Sequence, residues 1–330
     1  MKKTRLWPQP RVVVIGGGTG TSTILTGLKK YTDQITAVIS VMDDGGSTGR
    51  LRKGTDMGAP GDLRNCLISL SNSDDLMKEV LDYRFSEGEL AGHSFVNLFI
   101  TALYGIFGDF NEAILQTGNI LKVTGKVLPV TLDNVNICAQ LEDGFDVKGE
   151  SSIPEASHER KSRISRLYSI PNEFEVLEEA KDEILQADIV VLGPGSLYTS
   201  IIPNLLANGM VESLMSTKAK VVYVANIMGQ FGETENYGLK EHYDAIIKHS
   251  KSDIIDYILV NNGVIDTKLL ELYRREYAYP VKYDKSDIDL LVESNIKVIE
   301  TPLVRVKNGV IRHDSDNLAN IIFNRILKGD

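Results

Sequence analysis

Val12-Val13-Val14-Ile15-Gly16-Gly17-Gly18-Thr19-Gly20 is an apolar run that passes directly into a glycine-rich turn, and a helix-compatible stretch, Ser22 to Lys30, follows it. A strand, a glycine turn and the start of a helix, in this order, form the phosphate-binding site of many α/β proteins. Backbone N–H groups crowd together in such a turn, and the helix dipole favours negative charge there. The stretch therefore predicts a phosphate-binding turn at the end of a buried strand.

A second apolar run, Ile35 to Met42, ends in Asp43-Asp44-Gly45-Gly46-Ser47-Thr48-Gly49-Arg50. Two successive strands of a parallel sheet place the loops that follow them on the same rim. That rim is where open α/β sheets bind their ligands. We therefore expect a protein that handles a phosphorylated small molecule.

The first glycine loop fits neither of two common phosphate-binding motifs. Thr21 or Thr23 stands where G-x-G-x-x-G needs its third glycine, depending on where the count begins. No Gly-Lys-Ser or Gly-Lys-Thr follows, which excludes a Walker A loop. An ordinary tight turn is the alternative, but Gly16–Gly20 holds four glycines in five residues. Each glycine costs chain entropy, so this excess favours close approach of a ligand to the backbone.

Asp43 and Asp44 stand at the predicted end of the second strand. Carboxylates there could bind ribose hydroxyls, hold Mg²⁺ against a diphosphate, or act as a general base. A turn-forming Asp-Gly pair is the alternative. The hydroxyl of Ser47 and the guanidinium groups of Arg50 and Arg52 suit anionic oxygens, and Arg50 is expected to donate to a diphosphate. Asp43 and Asp44 are thus the catalytic candidates and the candidate Mg²⁺ ligands.

Two loops that lead into helices add candidates with strong structural alternatives. Asp62, in Pro60-Gly61-Asp62-Leu63-Arg64-Asn65, is either a helix N-cap or a functional carboxylate. His93 precedes an apolar helix, where a lone histidine is more often a cap or a structural group. The sequence shows no partner for a nucleophile triad, and its five scattered histidines do not have zinc-ligand spacing.

Loops in the second half of the chain complete the predicted site. Gly193-Pro194-Gly195-Ser196 follows a buried strand and has the arrangement of the first glycine loop. Asn226, Gln230 and Glu233 follow another strand and could recognise sugar or base edges, although ordinary loop polarity would look the same. The residues predicted to bind the ligand are Gly16, Gly17, Gly18, Thr19, Gly20, Asp43, Asp44, Gly45, Gly46, Ser47, Arg50, Asp62, Arg64, Asn65, His93, Asn97, Gly193, Gly195, Ser196, Thr199, Asn226, Gln230, Glu233 and Arg312.

The composition argues against several classes of protein. The net charge of −9 disfavours general binding of nucleic acid or anionic membranes, which need a positive face. Cys66 and Cys138 are the two cysteines and provide no disulfide framework or CxxC motif, which fits a reducing cytoplasm. No run reaches the roughly 20 apolar residues of a membrane helix, and Met1–Pro10 lacks the apolar core of a signal peptide. We expect a cytoplasmic protein without membrane insertion.

The strand and helix patterns predict one doubly wound α/β domain at residues 11–330, after a short tail at residues 1–10. The alternation is interrupted at about residues 125–170, where short β-rich segments occur: Val127–Val130, Val135–Leu141 and Phe145–Lys148. This change in pattern predicts a small β-rich insertion in a domain whose main sheet is mostly parallel.

Taken in order, these segments resemble the gluconeogenesis-factor proteins (YvcK-like) of the CofD-like group. The resemblance extends from about residue 11 to residue 245, with weaker similarity to Arg312-His313. The motifs that carry it are Gly16–Gly20, Asp43–Ser47, Gly49–Arg52, Pro60–Asn65, Gly92–Phe95, Asn97–Leu98, Gly125–Pro129, Gly149–Pro154, Gly193–Ser200, Asn226–Met228 and Gly232–Thr234.

The resemblance implies a three-layer α/β/α Rossmann-like fold and binding of a UDP-sugar, such as UDP-N-acetylglucosamine, or of a related nucleotide diphosphate. It also implies a role in growth on gluconeogenic carbon and in cell shape. The CofD-like relatives are transferases that move a phospholactyl group from guanosine diphospho-lactate to a deazaflavin with Mg²⁺ and release GMP. Three functions stay open: a regulatory UDP-sugar-binding protein, a Mg²⁺-dependent transferase, and an interaction protein whose glycine loops only make turns. A homodimer is compatible with each of them.

Overall fold

The computed structural model describes residues 8–52 and 57–329, so the predicted tail at residues 1–10 lies partly outside the described residues. Twelve strands are present in these residues. They are β1 (Val12–Gly16), β2 (Ile35–Ile39), β3 (Lys126–Pro129), β4 (Asn136–Leu141), β5 (Asp146–Lys148), β6 (Ile164–Ile170), β7 (Ile189–Leu192), β8 (Lys220–Val224), β9 (Tyr257–Asn261), β10 (Lys297–Thr301), β11 (Val304–Lys307) and β12 (Val310–His313).

Helices connect most of these strands, and two π-helical turns, Leu197–Ile201 and Ile321–Ile326, accompany them. The α-helices of the described residues are α1 (Gly18–Leu28), α2 (Gly46–Arg52), α3 (Pro60–Leu70), α4 (Asp75–Asp82), α5 (Phe95–Phe107), α6 (Phe110–Ile120), α7 (Ser152–Arg160), α8 (Glu178–Leu185), α9 (Ile202–Leu205), α10 (Met210–Ser216), α11 (Leu239–Ser250), α12 (Thr267–Arg275), α13 (Lys285–Glu293) and α14 (Ser315–Asn320). In the part of the chain that the structure describes, none of them has the length and apolar character needed to cross a membrane.

The main sheet has seven strands in the order β10-β9-β8-β7-β1-β2-β3, and all neighbours run parallel. Every residue of β1, β2 and β7 is buried. Strands buried on both faces need continuous apolar runs rather than an alternating pattern, and the β-branched sequences of these strands meet that need. The predicted α/β fold with a parallel sheet is confirmed.

The order in which strands are added to the sheet changes direction between β1 and β7. From β1 the chain builds outward through β2 to β3, then returns to place β7 on the other side of β1 and continues through β8 and β9 to β10. In open parallel sheets the ligand binds off the carboxyl ends of the strands at such a switch point. The two glycine loops of the sequence follow β1 and β7, so both stand at this crevice.

The β-rich insertion is a three-stranded antiparallel sheet in the order β5-β4-β6, accompanied by α7. It begins later than the sequence predicts, because the run that contains β3 belongs to the main sheet. Thr36 of β2 pairs in parallel register with Lys126 of β3. A short β-rich run indicates a strand but not the sheet to which the strand belongs, because the strands that pair with it are distant in sequence.

Candidate functional site

The first glycine loop connects β1 to α1, and its backbone lies close to two neighbouring segments. A Cβ on Gly20 would lie 2.4 Å from the carbonyl oxygen of Pro194, and one on Gly17 would lie 2.7 Å from Oδ2 of Asp62. Gly18 has a φ of +68°, which residues with a side chain rarely adopt. Gly17 stands at the N-cap and offers no capping side chain, and the carboxylate of Asp62 instead accepts from the backbone of Gly18 in the first turn of α1.

The second glycine loop follows β7 and packs against the first. A Cβ on Gly195 would lie 3.2 Å from the carbonyl oxygen of Gly17. The buried amide of Asn204 donates to the carbonyl oxygens of Gly16, at 3.2 Å, and Ser200, at 2.7 Å. This side chain holds the end of β1 against the helical turn after β7. Together Gly17–Gly20 and Pro194–Ser196 form one surface, the glycine wall.

A cavity of about 780 Å³, the central cavity, opens at the glycine wall. Its volume is in the range of small-molecule binding sites. Apart from Thr23, the rest of its lining comes from the second half of the chain. We call five of these side chains the aromatic wall: Phe231, Tyr273, Arg275, Tyr277 and Arg312. The central cavity therefore joins a surface made of backbone to a surface made of side chains.

Polar residues after β8 connect the parts of the site. The carboxylate of Glu233 accepts a hydrogen bond from Oγ1 of Thr199 at 3.2 Å, and burial raises the pKa of Glu233 to about 7. The amide of Gln230 donates to Oγ of Ser196 and accepts from Nδ2 of Asn226 at 3.2 Å. The structure thus brings these predicted residues together beside the glycine wall.

Further carboxylates lie next to the glycine wall without lining the central cavity. Asp62 accepts a hydrogen bond from the backbone of Gly18, and burial, followed by the charge of Asp43, raises its pKa to about 6. Glu150, from the insertion, has its pKa raised to about 8 by burial and then by Asp43 and Glu233. Both pKa shifts come first from burial and then from the repulsion of neighbouring carboxylates. A cation bound nearby would relieve that repulsion.

Asp43 and Asp44 both engage backbone N–H groups. Oδ1 of Asp43 accepts from Gly45 at 2.8 Å, and Oδ1 of Asp44 accepts from Ser151 of the insertion at 3.0 Å. Across residues 8–52 and 57–329, no group of three or more histidine, cysteine, aspartate or glutamate side chains is placed to hold a metal ion. Mg²⁺ often uses one or two carboxylates together with ligand phosphates, and the carboxylates beside the glycine wall fit that mode of binding.

Ser47, His93 and Asn97 form a separate polar cluster. Oγ of Ser47 lies 2.9 Å from Nδ1 of His93 and accepts from Nδ2 of Asn97 at 3.5 Å. Arg50, which the sequence places on a diphosphate, instead donates to the carbonyl oxygen of Ala91 at 2.9 Å. Its exposed guanidinium lies outside the lining of the central cavity, and α2, which carries it, packs against α3 and α5.

The predicted residues therefore divide into two groups. Those that line the central cavity are Gly17, Gly18, Thr19, Gly20, Gly195, Ser196, Asn226, Gln230, Glu233 and Arg312. Those that the structure places outside its lining are Gly16, Asp43, Asp44, Gly45, Gly46, Ser47, Arg50, Asp62, Arg64, Asn65, His93, Asn97, Gly193 and Thr199. In the second group, Arg64 donates to Oδ1 of Asn65, its neighbour in sequence, at 2.7 Å.

Sequence reasoning missed most of the aromatic wall. Tyr273, Arg275 and Tyr277 lie at the end of α12 and just after it, where they look like the polar end of an amphipathic helix. The available signal for a binding surface was the pair of tyrosines and the pair of arginines within residues 273–277. His313 was also missed: its Nε2 donates to the carbonyl oxygen of Ala225 at 3.1 Å, and burial lowers its pKa to about 4. That bond ties β12 to the end of β8 and positions Arg312 at the cavity.

A protein-family model described as 2-phospho-L-lactate transferase CofD matches residues 12–304. The chain belongs to the CofD family. Within it, a Bacillus subtilis protein named gluconeogenesis factor is 42% identical over 95% of this chain and 97% of its own length. A Thermoanaerobacterium thermosulfurigenes protein, provisionally given the same name, is 47% identical over 95% of this chain and 96% of its own length.

Solved structures agree with the sequence comparison. A crystal structure of a protein from Bacillus halodurans superposes with a TM-score of 0.91 at 40% identity, covering 96% of this chain and 99% of the other. The family predicted from the loop motifs and their order along the chain is therefore confirmed, and so is the fold. The CofD-family chain described here is thus similar to bacterial gluconeogenesis factors over nearly its whole length.

Proposed function

We propose that this CofD-family protein binds a UDP-sugar, such as UDP-N-acetylglucosamine, in the central cavity and acts as a regulatory protein. In this role it would be needed for growth on gluconeogenic carbon sources and for cell shape. The observation that carries the proposal is the meeting of both glycine loops with Arg275 and Arg312 around one cavity at the switch point of the sheet. Its relatives named gluconeogenesis factors support the metabolic part.

The glycine wall suits the diphosphate of such a ligand. Phosphate oxygens can come close to the backbone at the start of α1 because Gly17 and Gly18 carry no side chains, and the helix dipole favours negative charge there. The N–H groups of Gly17 and Gly18 themselves donate to Thr21 and Asp62. Arg275 and Arg312 line the same cavity and can donate charge-assisted hydrogen bonds to the phosphate oxygens. Asn226 and Gln230 carry the donors and acceptors that sugar hydroxyls require. This combination of anion and hydroxyl recognition supports the proposed ligand class.

Calorimetry with UDP-N-acetylglucosamine, UDP-glucose, GDP and NAD tests the proposal. We expect heat of binding with UDP-sugars, tighter than with NAD. Absence of binding to every UDP-sugar would exclude the proposal, and tighter binding of NAD would favour a dehydrogenase-type role. Growth on a gluconeogenic carbon source then tests the regulatory role, by comparing cells that carry the wild-type protein with cells that carry Arg312→Ala.

A Mg²⁺-dependent transferase acting on a nucleoside diphosphate conjugate is the second candidate. The observation that favours it is the set of carboxylates beside the glycine wall, Asp43, Asp62 and Glu150, two of which have raised pKa values. Asp43 with Asp44 or Asp62 would hold Mg²⁺, which would neutralise the diphosphate charge. A carboxylate with a raised pKa could also accept the proton of an attacking hydroxyl.

The two candidate functions differ in whether a product forms. Incubation with guanosine diphospho-lactate, Mg²⁺ and a deazaflavin should release GMP if the protein is such a transferase. The matched control is the Asp43→Asn/Asp44→Asn double variant. Release no faster than in this variant would count against transferase activity, while leaving UDP-sugar binding unaffected.

A further inference from the structure

Two aromatic rings of the aromatic wall keep much of their surface exposed at the rim of the central cavity. Phe231 is 38% exposed and Tyr277 is 47% exposed, and both line the cavity. Their ring centroids are 6.0 Å apart, with the ring planes tilted by 51°. Exposed aromatic surface is unfavourable in water, so paired rings at a cavity rim indicate a surface that a ligand covers.

His158 supports both rings from outside the cavity lining. It lies on α7 of the insertion, with its ring centroid 4.3 Å from that of Phe231 and 4.5 Å from that of Tyr277. Its Nδ1 is 2.8 Å from Oε1 of Glu235, and the same oxygen accepts from the N–H of Gly232 at 2.8 Å. The histidine fills one side of the two rings, which leaves the cavity side for a ligand.

The backbone at Tyr277 is also unusual. Its φ of 55° lies in the left-handed region, which asparagine and glycine adopt more readily than tyrosine. The hydrogen bond from the N–H of Ala278 to the carbonyl oxygen of Tyr273, at 3.0 Å, holds this turn after α12. Lys161 and Lys251 adopt the same conformation where α7 and α11 end, so this φ marks the end of α12, and it brings Tyr277 into the lining of the cavity.

We propose that Phe231 and Tyr277 stack against the nucleobase of the ligand, while the glycine wall holds its phosphates. The inference rests on the proposed function and adds the part of the ligand that the glycine wall cannot recognise. Every nucleobase has a π face, so the two rings supply affinity with little discrimination among bases. The ligand class is then nucleoside diphosphate conjugates, and sugar phosphates without a base bind much more weakly.

Calorimetry with UDP-N-acetylglucosamine tests this inference in Phe231→Leu and Tyr277→Asn. Asparagine tolerates the left-handed backbone, so Tyr277→Asn removes the ring without adding strain. Each variant should bind roughly five- to a hundredfold more weakly, the usual effect of losing a stacked ring. Phe231→Tyr and Tyr277→Phe, which keep the rings, should retain the affinity. Phe145→Leu is the matched control, because Phe145 is 45% exposed and lies outside the cavity lining.

The outcomes separate this inference from the proposed function. Unchanged affinity in both ring-removing variants would overturn the stacking role and leave UDP-sugar binding intact. Equal weakening in Tyr277→Phe would also overturn it, since the ring would then not be what matters. If the wild-type protein binds GDP or NAD but no UDP-sugar, the proposed function fails, and the same variants titrated with that nucleotide test stacking. Absence of binding to every nucleotide would overturn both.

Discussion

The glycine wall and the aromatic wall face the same cavity but are built in opposite ways. The glycine wall consists of backbone from the loops after β1 and β7, packed so closely that a Cβ on Gly20 would meet the carbonyl oxygen of Pro194. The aromatic wall consists of side chains from three later segments, with two rings still partly exposed. We infer that substitutions in the glycine wall lower the stability of the fold. Substitutions in the aromatic wall should lower ligand affinity and leave the stability unchanged.

Substitution within the glycine wall should have the largest effect. Gly20→Ala places its Cβ 2.4 Å from a backbone oxygen that cannot rotate away, so the two loops must separate. We expect a loss of about 3 kcal/mol or more in the free energy of unfolding, the upper range for overpacking. Denaturant unfolding measures it. Gly105→Ala in α5 is the control: its Cβ would meet nothing within 4 Å, and it should stabilise by roughly 0.5–1 kcal/mol. Equal stability of the two variants would contradict the rigid glycine wall.

The buried carboxylate of Asp62 beside the glycine wall should make the free energy of unfolding depend on pH. The pKa of Asp62 is about 6 in the folded protein against an ordinary 3.8, so folding favours its protonated form. Stability from this group is therefore highest below about pH 4 and declines as pH rises to about 6. Asp62→Asn removes that decline. The variant should gain on the order of 2–3 kcal/mol over wild type between pH 4 and pH 7.5.

Urea unfolding of wild type and Asp62→Asn at pH 4 and at pH 7.5 provides the measurement. Asparagine keeps an oxygen that can accept the hydrogen bond from Gly18, so the loop contact is preserved. A difference between the two proteins that is the same at both pH values would show that Asp62 titrates normally. The crowding of carboxylates beside the glycine wall would then need a different explanation.

The two arginines Arg312 and Arg50 test whether the aromatic wall completes the diphosphate site. Arg312 lines the central cavity, whereas Arg50 donates to the carbonyl oxygen of Ala91 outside it. Arg312→Ala should weaken UDP-N-acetylglucosamine binding roughly ten- to a hundredfold, the loss expected for a charge-assisted hydrogen bond. Arg50→Ala should leave affinity within about twofold, and neither should change the melting temperature much. The reverse pattern in calorimetry would support the sequence-based prediction that Arg50 donates to the diphosphate, and would contradict the role given to Arg312.

Within the glycine wall, a smaller loss of stability is expected at Gly18 than at Gly20. A Cβ there would lie no closer than 3.8 Å to its neighbours, so the cost comes from the φ of +68° alone. Gly18→Ala should destabilise by about 1–2 kcal/mol, and Gly18→Asn by less, because asparagine tolerates this region. The melting temperatures of the wild-type protein, Gly18→Asn and Gly18→Ala should decrease in that order. If Gly18→Ala destabilises as much as Gly20→Ala, the distinction between strain and steric clash within the glycine wall fails.

The sequence by itself determined the fold class, the family and the glycine wall. Each depends on local patterns: buried strands read as continuous apolar runs, and glycines mark the turns that follow β1 and β7. It also indicated that Asn226, Gln230 and Glu233 belong near these loops, since the ends of parallel strands share one rim. Local chemistry and the geometry of parallel sheets are sufficient for such inferences.

The tertiary structure alone decided which polar residues meet in the central cavity. Arg50, Ser47 and His93 fit the chemistry of a diphosphate site, yet Ser47 and Arg50 on α2 bond to His93 and Ala91, which lie just before α5. Phe231 and Tyr277 are ordinary in sequence and become a paired surface only when distant segments pack together. Long-range packing sets the direction of each side chain, and no local pattern in the sequence encodes it.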